Sequence, residues 1–201
     1  MSATLVERIE IPAAVSAWAP YPTVYEINTW VWLTDLSQKY GRIVNLLSVP
    51  SAEWDAIAAY DFDSVWFMGV WERSPAGIAI ANQNKGLLDD FRRALPDFRP
   101  EDNVGSPYCV RRYVVDGHLG GPEGLATARQ ELSKRGMNLI LDFVPNHVAP
   151  DHPWVVEHPE YFIEAMLRTR KMTPLHTWGC VGLFSHAGGI PTSRPGQTSC
   201  N

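Results

Sequence analysis

The sequence has no excess of basic charge. Seventeen lysines and arginines face twenty-two aspartates and glutamates, for a net charge of −5. No cationic field is present to draw nucleic acid or an anionic membrane surface, so neither is an expected partner. No run is long and apolar enough to span a bilayer. The opening "MSATLVERIEIP" lacks the basic start and apolar core of a secretory signal. Cysteine is scarce: Cys109, Cys180 and Cys200 are odd in number and widely spaced, with neither a disulfide framework nor a metal-binding pattern. A cytoplasmic protein with free thiols is the expectation. Short repeats and low-complexity tracts are absent too. What the chain does have is aromatic surface, with eight tryptophans and seven tyrosines among 201 residues. Such rings fill cores, and they also offer flat platforms for the apolar faces of ligands such as sugars.

Apolar patterning suggests alternating strands and helices. Residues 1–20 read as an irregular lead-in punctuated by Pro12 and Pro20. "TVYEINTWVWL", Thr23 to Leu33, is rich in β-branched and aromatic residues and predicts a strand, followed by a polar connection to Pro50. "PSAEWDAIAAY" predicts a helix with Pro50 at its first position and Trp54, Ile57 and Ala58 on one face. "DSVWFMGVW", Asp63 to Trp71, is a nearly continuous apolar run, as in a strand buried on both faces. A polar, glycine-containing insertion follows, in which "KGLLDDFRRAL" has helical spacing. "GGPEGLATARQELSKRG" carries the clearest helix signal: glycine and proline before it, Leu125, Ala128 and Leu132 on one face, and Gly136 as a stop. "NLILDFV" is a third apolar strand. This order predicts an α/β fold with a parallel sheet, either open or closed as a barrel. In both, ligands sit at the C-terminal strand ends. Those ends carry Trp71-Glu72-Arg73 and the stretch from Asp142 to His147.

"GMNLILDFVPNHVAPDHPW" resembles the first short sequence block of the α-amylase family of glycoside hydrolases: an aspartate at the end of barrel strand three, then Asn-His after three residues. "YEINTWVW", "FDSVWFMGVWERS" and "GSPYCVRRYVVDGHLGGPEGLATARQELSKRGMNLILD" resemble the family's first strand, its second strand with the following loop, and the approach to strand three. The resemblance covers roughly residues 20–163. It implies a partial (β/α)8 TIM barrel of about the first three βα units, over residues 21–163. It also implies an α-glucan or oligosaccharide as partner, cleaved or transferred with retention by the intact relative. By the same resemblance Tyr108 stacks under the sugar at the cleavage point and His147 hydrogen-bonds one of its hydroxyls. Asp142 orients neighbouring groups and is not the nucleophile. Asn146 offers a carbonyl oxygen to calcium, a hard cation that takes such ligands. Many members lack that ion, and Asn146 as a loop cap is the alternative. Ser106-Pro107 stands where the family has His-Gly. Asp151 and His152, with His147, form a weak candidate metal cluster, since no further ligand is matched.

The family's nucleophilic aspartate, acid glutamate and third carboxylate follow strands four, five and seven, and no residue here matches them. Catalytic residues are therefore expected to be none, and the 201-residue chain inactive alone. Residues 164–201 lose the pattern. Back-translated and shifted by two bases, "EAMLRTRKMTPLHT" can encode an acidic stretch resembling relatives at that point. An out-of-frame tail on a truncated product is the expectation. Two other readings remain open: a non-catalytic carbohydrate-binding or regulatory protein, and an α/β protein that binds some other small molecule.

Overall fold

The structure is a computed structural model that describes residues 18–162 and 181–182. Most of the lead-in, nearly all of the tail, and Cys180 and Cys200 lie outside the described residues. The chain divides into two compact units, Met1–Glu72 with Val114–Phe143, and Arg73–Tyr113 with Val144–Asn201.

The first unit is built on a parallel three-stranded sheet in the order β1 (Val24–Asn28), β2 (Ser64–Met68), β5 (Asn138–Leu141). The register pairs Glu26 with Trp66 and Trp66 with Ile140. Alternate residues face opposite sides. Ile27, Val65 and Phe67 are buried against α1 (Thr29–Tyr40), α2 (Ser51–Ala58) and α5 (Gly121–Lys134), with Leu33, Leu36, Trp54, Ala128 and Leu132 closing the core. On the other face Val24, Glu26 and Asn28 are exposed. The fold is therefore α/β with a parallel sheet, as the apolar runs suggest. β2 is not buried on both faces as expected, because Trp66 and Met68 on its second face stay partly open.

The predicted strand Thr23–Leu33 ends early. Asn28 caps a helix through its side-chain oxygen, which accepts from the Val31 amide at 3.4 Å. Thr29, Leu33 and Leu36 then fall on the buried face at helical spacing. The supposed polar connection thus begins with a 12-residue helix. Pro50 occupies the N-cap of α2 rather than its first turn, with Trp54 and Ile57 buried as expected. At the other end of the core Arg135 ties α5 to α2, donating to Asp55 at 2.7 Å and to the Ser51 hydroxyl at 2.9 Å. Gly120, at φ 105°, enters α5 through a conformation open to glycine, and a Cβ there would stand 3.4 Å from the Leu46 amide.

Two further strands, β3 (Trp71–Arg73) and β4 (Val110–Val115), form a separate two-stranded sheet. The second unit holds α3 (Pro75–Ala81) and α4 (Lys85–Ala94), the latter where "KGLLDDFRRAL" predicts it. The short pair β6 (His147–Val148) and β7 (Val181–Gly182) comes next, with α6 (Trp154–Glu157) between them in the chain. α3 and β4 lie within the expected insertion and approach to strand three, where the sequence pattern predicts neither. Among the described residues no helix is long and apolar enough to cross a membrane.

Candidate functional site

Asp142 lies one residue past β5, in the first unit, and is buried. Both carboxylate oxygens are used: Oδ1 accepts from the Trp66 indole at 2.9 Å and Oδ2 from the Gly69 amide at 2.5 Å. The Asp142 carbonyl accepts from the Trp71 indole at 2.9 Å. A buried carboxylate needs such donors, since desolvation without them is costly. Here they come from β2 and the turn after it, so Asp142 fastens the end of β5 to the end of β2. Its oxygens are committed to holding the strand ends together rather than free to attack a substrate.

Tyr108, Asn146 and His147 belong to the second unit. Tyr108 is half-buried. The Ser106 hydroxyl accepts from its amide at 3.2 Å, so the serine that departs from the family pattern turns the chain into Tyr108. His147 is half-buried, and its Nε2 lies 3.0 Å from the Tyr108 carbonyl oxygen. A carbonyl only accepts, so Nε2 carries the hydrogen and the neutral ring keeps Nδ1 as an acceptor. The fold thus brings together two residues that lie 39 apart in sequence. Asn146 is exposed.

Calcium takes six to eight oxygens. Among the described residues no group of three or more His, Cys, Asp or Glu could hold a metal ion. Asn146 offers one exposed amide oxygen, and calcium there would need further oxygens from other groups. The Asp151–His152–His147 cluster does not form. Asp151 instead accepts from the Ser74 hydroxyl at 2.6 Å and the Ala76 amide at 3.3 Å, and faces Arg111 at 3.7 Å. It anchors the start of α3.

His152 is buried, and its Nδ1 accepts from the Trp154 amide at 3.1 Å. Burial holds its pKa below the ordinary 6.5, against the pull of Asp151 and Glu157 and with that of Arg111. The unfolded ring therefore takes up a proton more readily than the folded one. Its contribution to stability is complete above about pH 6.5 and is lost as the pH falls from there through the folded value. Urea midpoints are expected to drop between about pH 8 and pH 5. In His152→Asn, which keeps an acceptor near Nδ1 and does not titrate, the drop is expected to shrink. An undiminished drop would assign the effect to other groups.

The sequence gives no hint of the partners that hold these residues. Trp66 reads as part of a buried apolar run and Trp71 as part of a strand end, yet their indole N–H groups hold Asp142. Trp30, just after β1, stacks on the exposed His118 with ring centres 4.6 Å apart and planes 5° from parallel. Only a signal linking distant positions could have found these pairs.

No family model matches the chain. It is 28% identical over 139 residues to the amino acid transporter heavy chain SLC3A1 of Rattus norvegicus, a match that covers 69% of this chain and 15% of the relative. It is 33% identical over 88 residues to the α-1,4-glucan:maltose-1-phosphate maltosyltransferase of Salinibacter ruber, covering 37% of this chain and 13% of that protein. To the malto-oligosyltrehalose trehalohydrolase of Saccharolobus solfataricus it is 37% identical over 79 residues, covering 39% and 13%. An α-amylase from Lactobacillus plantarum superposes with a TM-score of 0.51 at 18% identity, covering 81% of this chain and 31% of that one; this likeness carries the fold. The chain thus spans between 13% and 15% of the length of these curated relatives. With Asp142 one residue past a parallel strand and Asn146-His147 following it in sequence, the chain is a relative of the α-amylase family, matching part of its members' length.

Proposed function

We propose that residues 21–163 are about the first three βα units of an α-amylase-type (β/α)8 barrel, and that they carry one wall of an α-glucan cleft. In this reading His147 receives a sugar hydroxyl at Nδ1 and Tyr108 stacks under the ring, while Asp142, in the other unit, fastens the end of β5. The observation that carries it is the 3.0 Å bond between His147 Nε2 and the Tyr108 carbonyl. It joins the two residues that the family resemblance assigns to one sugar. Hydrolysis or transfer with retention needs a nucleophilic carboxylate and an acid carboxyl roughly 5 Å apart. The resemblance assigns none of the described carboxylates to that pair. The intact relative would supply both from later strands, and the 201-residue chain alone is inactive. Incubated with maltooligosaccharides, the purified chain is expected to release no glucose or maltose. Measurable turnover would overturn the assignment.

A second reading is a non-catalytic carbohydrate-binding or regulatory protein, an alternative that the match to an amino acid transporter heavy chain keeps open. The two readings differ in stability. A partial barrel leaves β5 as an unpaired edge and one sheet face open among the described residues, which makes for marginal stability. A self-sufficient binding protein would unfold only at high urea. A cytoplasmic setting suits both, and Cys109 is a buried cysteine in no disulfide.

A further inference from the structure

Within the second unit the segment 108–113 holds the segment 144–149 at three points. The Tyr108 carbonyl takes the His147 ring at 3.0 Å, and the Val110 carbonyl accepts from the Ala149 amide at 3.1 Å. The third tether is unusual. The Tyr113 hydroxyl accepts from the Val144 amide at 2.7 Å and donates to the Val144 carbonyl at 3.1 Å. One phenol thus satisfies both backbone groups of a single residue, as a neighbouring strand would. It can do so because a hydroxyl carries one hydrogen and two lone pairs. Val144 is itself buried, so both groups need partners. It lies three residues before His147, in the turn through Pro145 and Asn146 that leads into β6. A tyrosine side chain has two main torsions, so a phenol bonded twice to one residue fixes that residue closely.

We propose that Tyr113 is a positioning residue for His147. By bracketing Val144 it sets the turn so that the His147 ring meets the Tyr108 carbonyl through Nε2 and keeps Nδ1 as an acceptor. The consequence for sugar binding rests on the α-glucan reading of the cleft wall; the tether and the tautomer do not.

The test is Tyr113→Phe in the full 201-residue chain, read by nitrogen-15 NMR of the histidine rings and by amide exchange. The wild-type His147 ring is expected to show the pattern of an imidazole protonated at Nε2. In Tyr113→Phe that pattern is expected to move towards a mixture of tautomers. Exchange at the Val144 amide is expected to speed up about tenfold, the scale of one lost hydrogen bond, with the β1–β2–β5 amides unchanged. An unaltered His147 ring pattern overturns the proposal even if Val144 exchanges faster, because a merely structural tether would do only that. Should the variant fail to fold, the wild-type chain still decides. A slowly exchanging Tyr113 hydroxyl proton with a cross-peak to the Val144 amide supports the role, and its absence overturns it. Maltotriose is then added to the wild type. No binding together with an altered ring pattern in the variant rejects the glucan reading and leaves the positioning role standing.

Discussion

In urea the Asp142→Ala chain is expected to lose about 4 kcal/mol of stability, roughly 2 for each donor that loses the carboxylate. The donors are the Trp66 indole and the Gly69 amide, and both lose the carboxylate as acceptor. Domains have about 5–15 kcal/mol in all, so a loss of this size removes a large share of it. Asp142→Ala is therefore expected to unfold at a much lower urea midpoint than the wild-type chain. Asp142→Asn separates charge from geometry. Its amide oxygen can replace one acceptor, but its NH2 then faces the other donor, so an intermediate loss of roughly 2 kcal/mol is expected. If Asp142→Ala kept its urea midpoint, the carboxylate would not be the tie between β2 and β5.

The second large effect is expected at Trp54. Its ring is almost wholly buried and packs against Trp32 at 5.3 Å and Phe67 at 6.2 Å between centres. This joins α2 to α1 and to the outer face of β2. Truncation to alanine removes the ring and leaves a cavity that the rigid sheet cannot close, at a cost of about 3–5 kcal/mol. Trp54→Phe fills most of that space and is expected to cost less than half as much. Urea unfolding followed by circular dichroism separates them. Equal losses would mean that the indole's specific shape, rather than cavity volume, sets the cost.

Much of this was legible in the sequence, and the misses have physical causes. α5 was plain because every cue agreed: proline and glycine at the start, apolar residues at Ala128 and Leu132, and a glycine stop. The junction of β1 and α1 was not, since "TWVWL" has the composition of a strand and the spacing of a helix. The cap at Asn28 and burial of Leu33 and Leu36 decided for the helix. β4 hid behind its arginines and tyrosine, and only its ends, Val110 and Val115, are buried. Asp142, Tyr108 and His147 stand out in the sequence through their motifs. Their partners do not, because Trp66 and Gly69 lie 76 and 73 positions from Asp142. The local reading of Asp151 as a metal ligand failed because Ser74 and the start of α3 claim its oxygens.

The central proposal is that Tyr108 and His147 form a sugar-facing wall. The most direct measurement is a maltotriose titration of the isotope-labelled 201-residue chain, followed residue by residue by NMR. The account predicts shifts centred on Tyr108 and His147, saturating at millimolar sugar as expected for a few hydrogen bonds and one stacked ring. They are lost in His147→Ala. Shifts confined to other residues, or none at all with the chain folded, would contradict it.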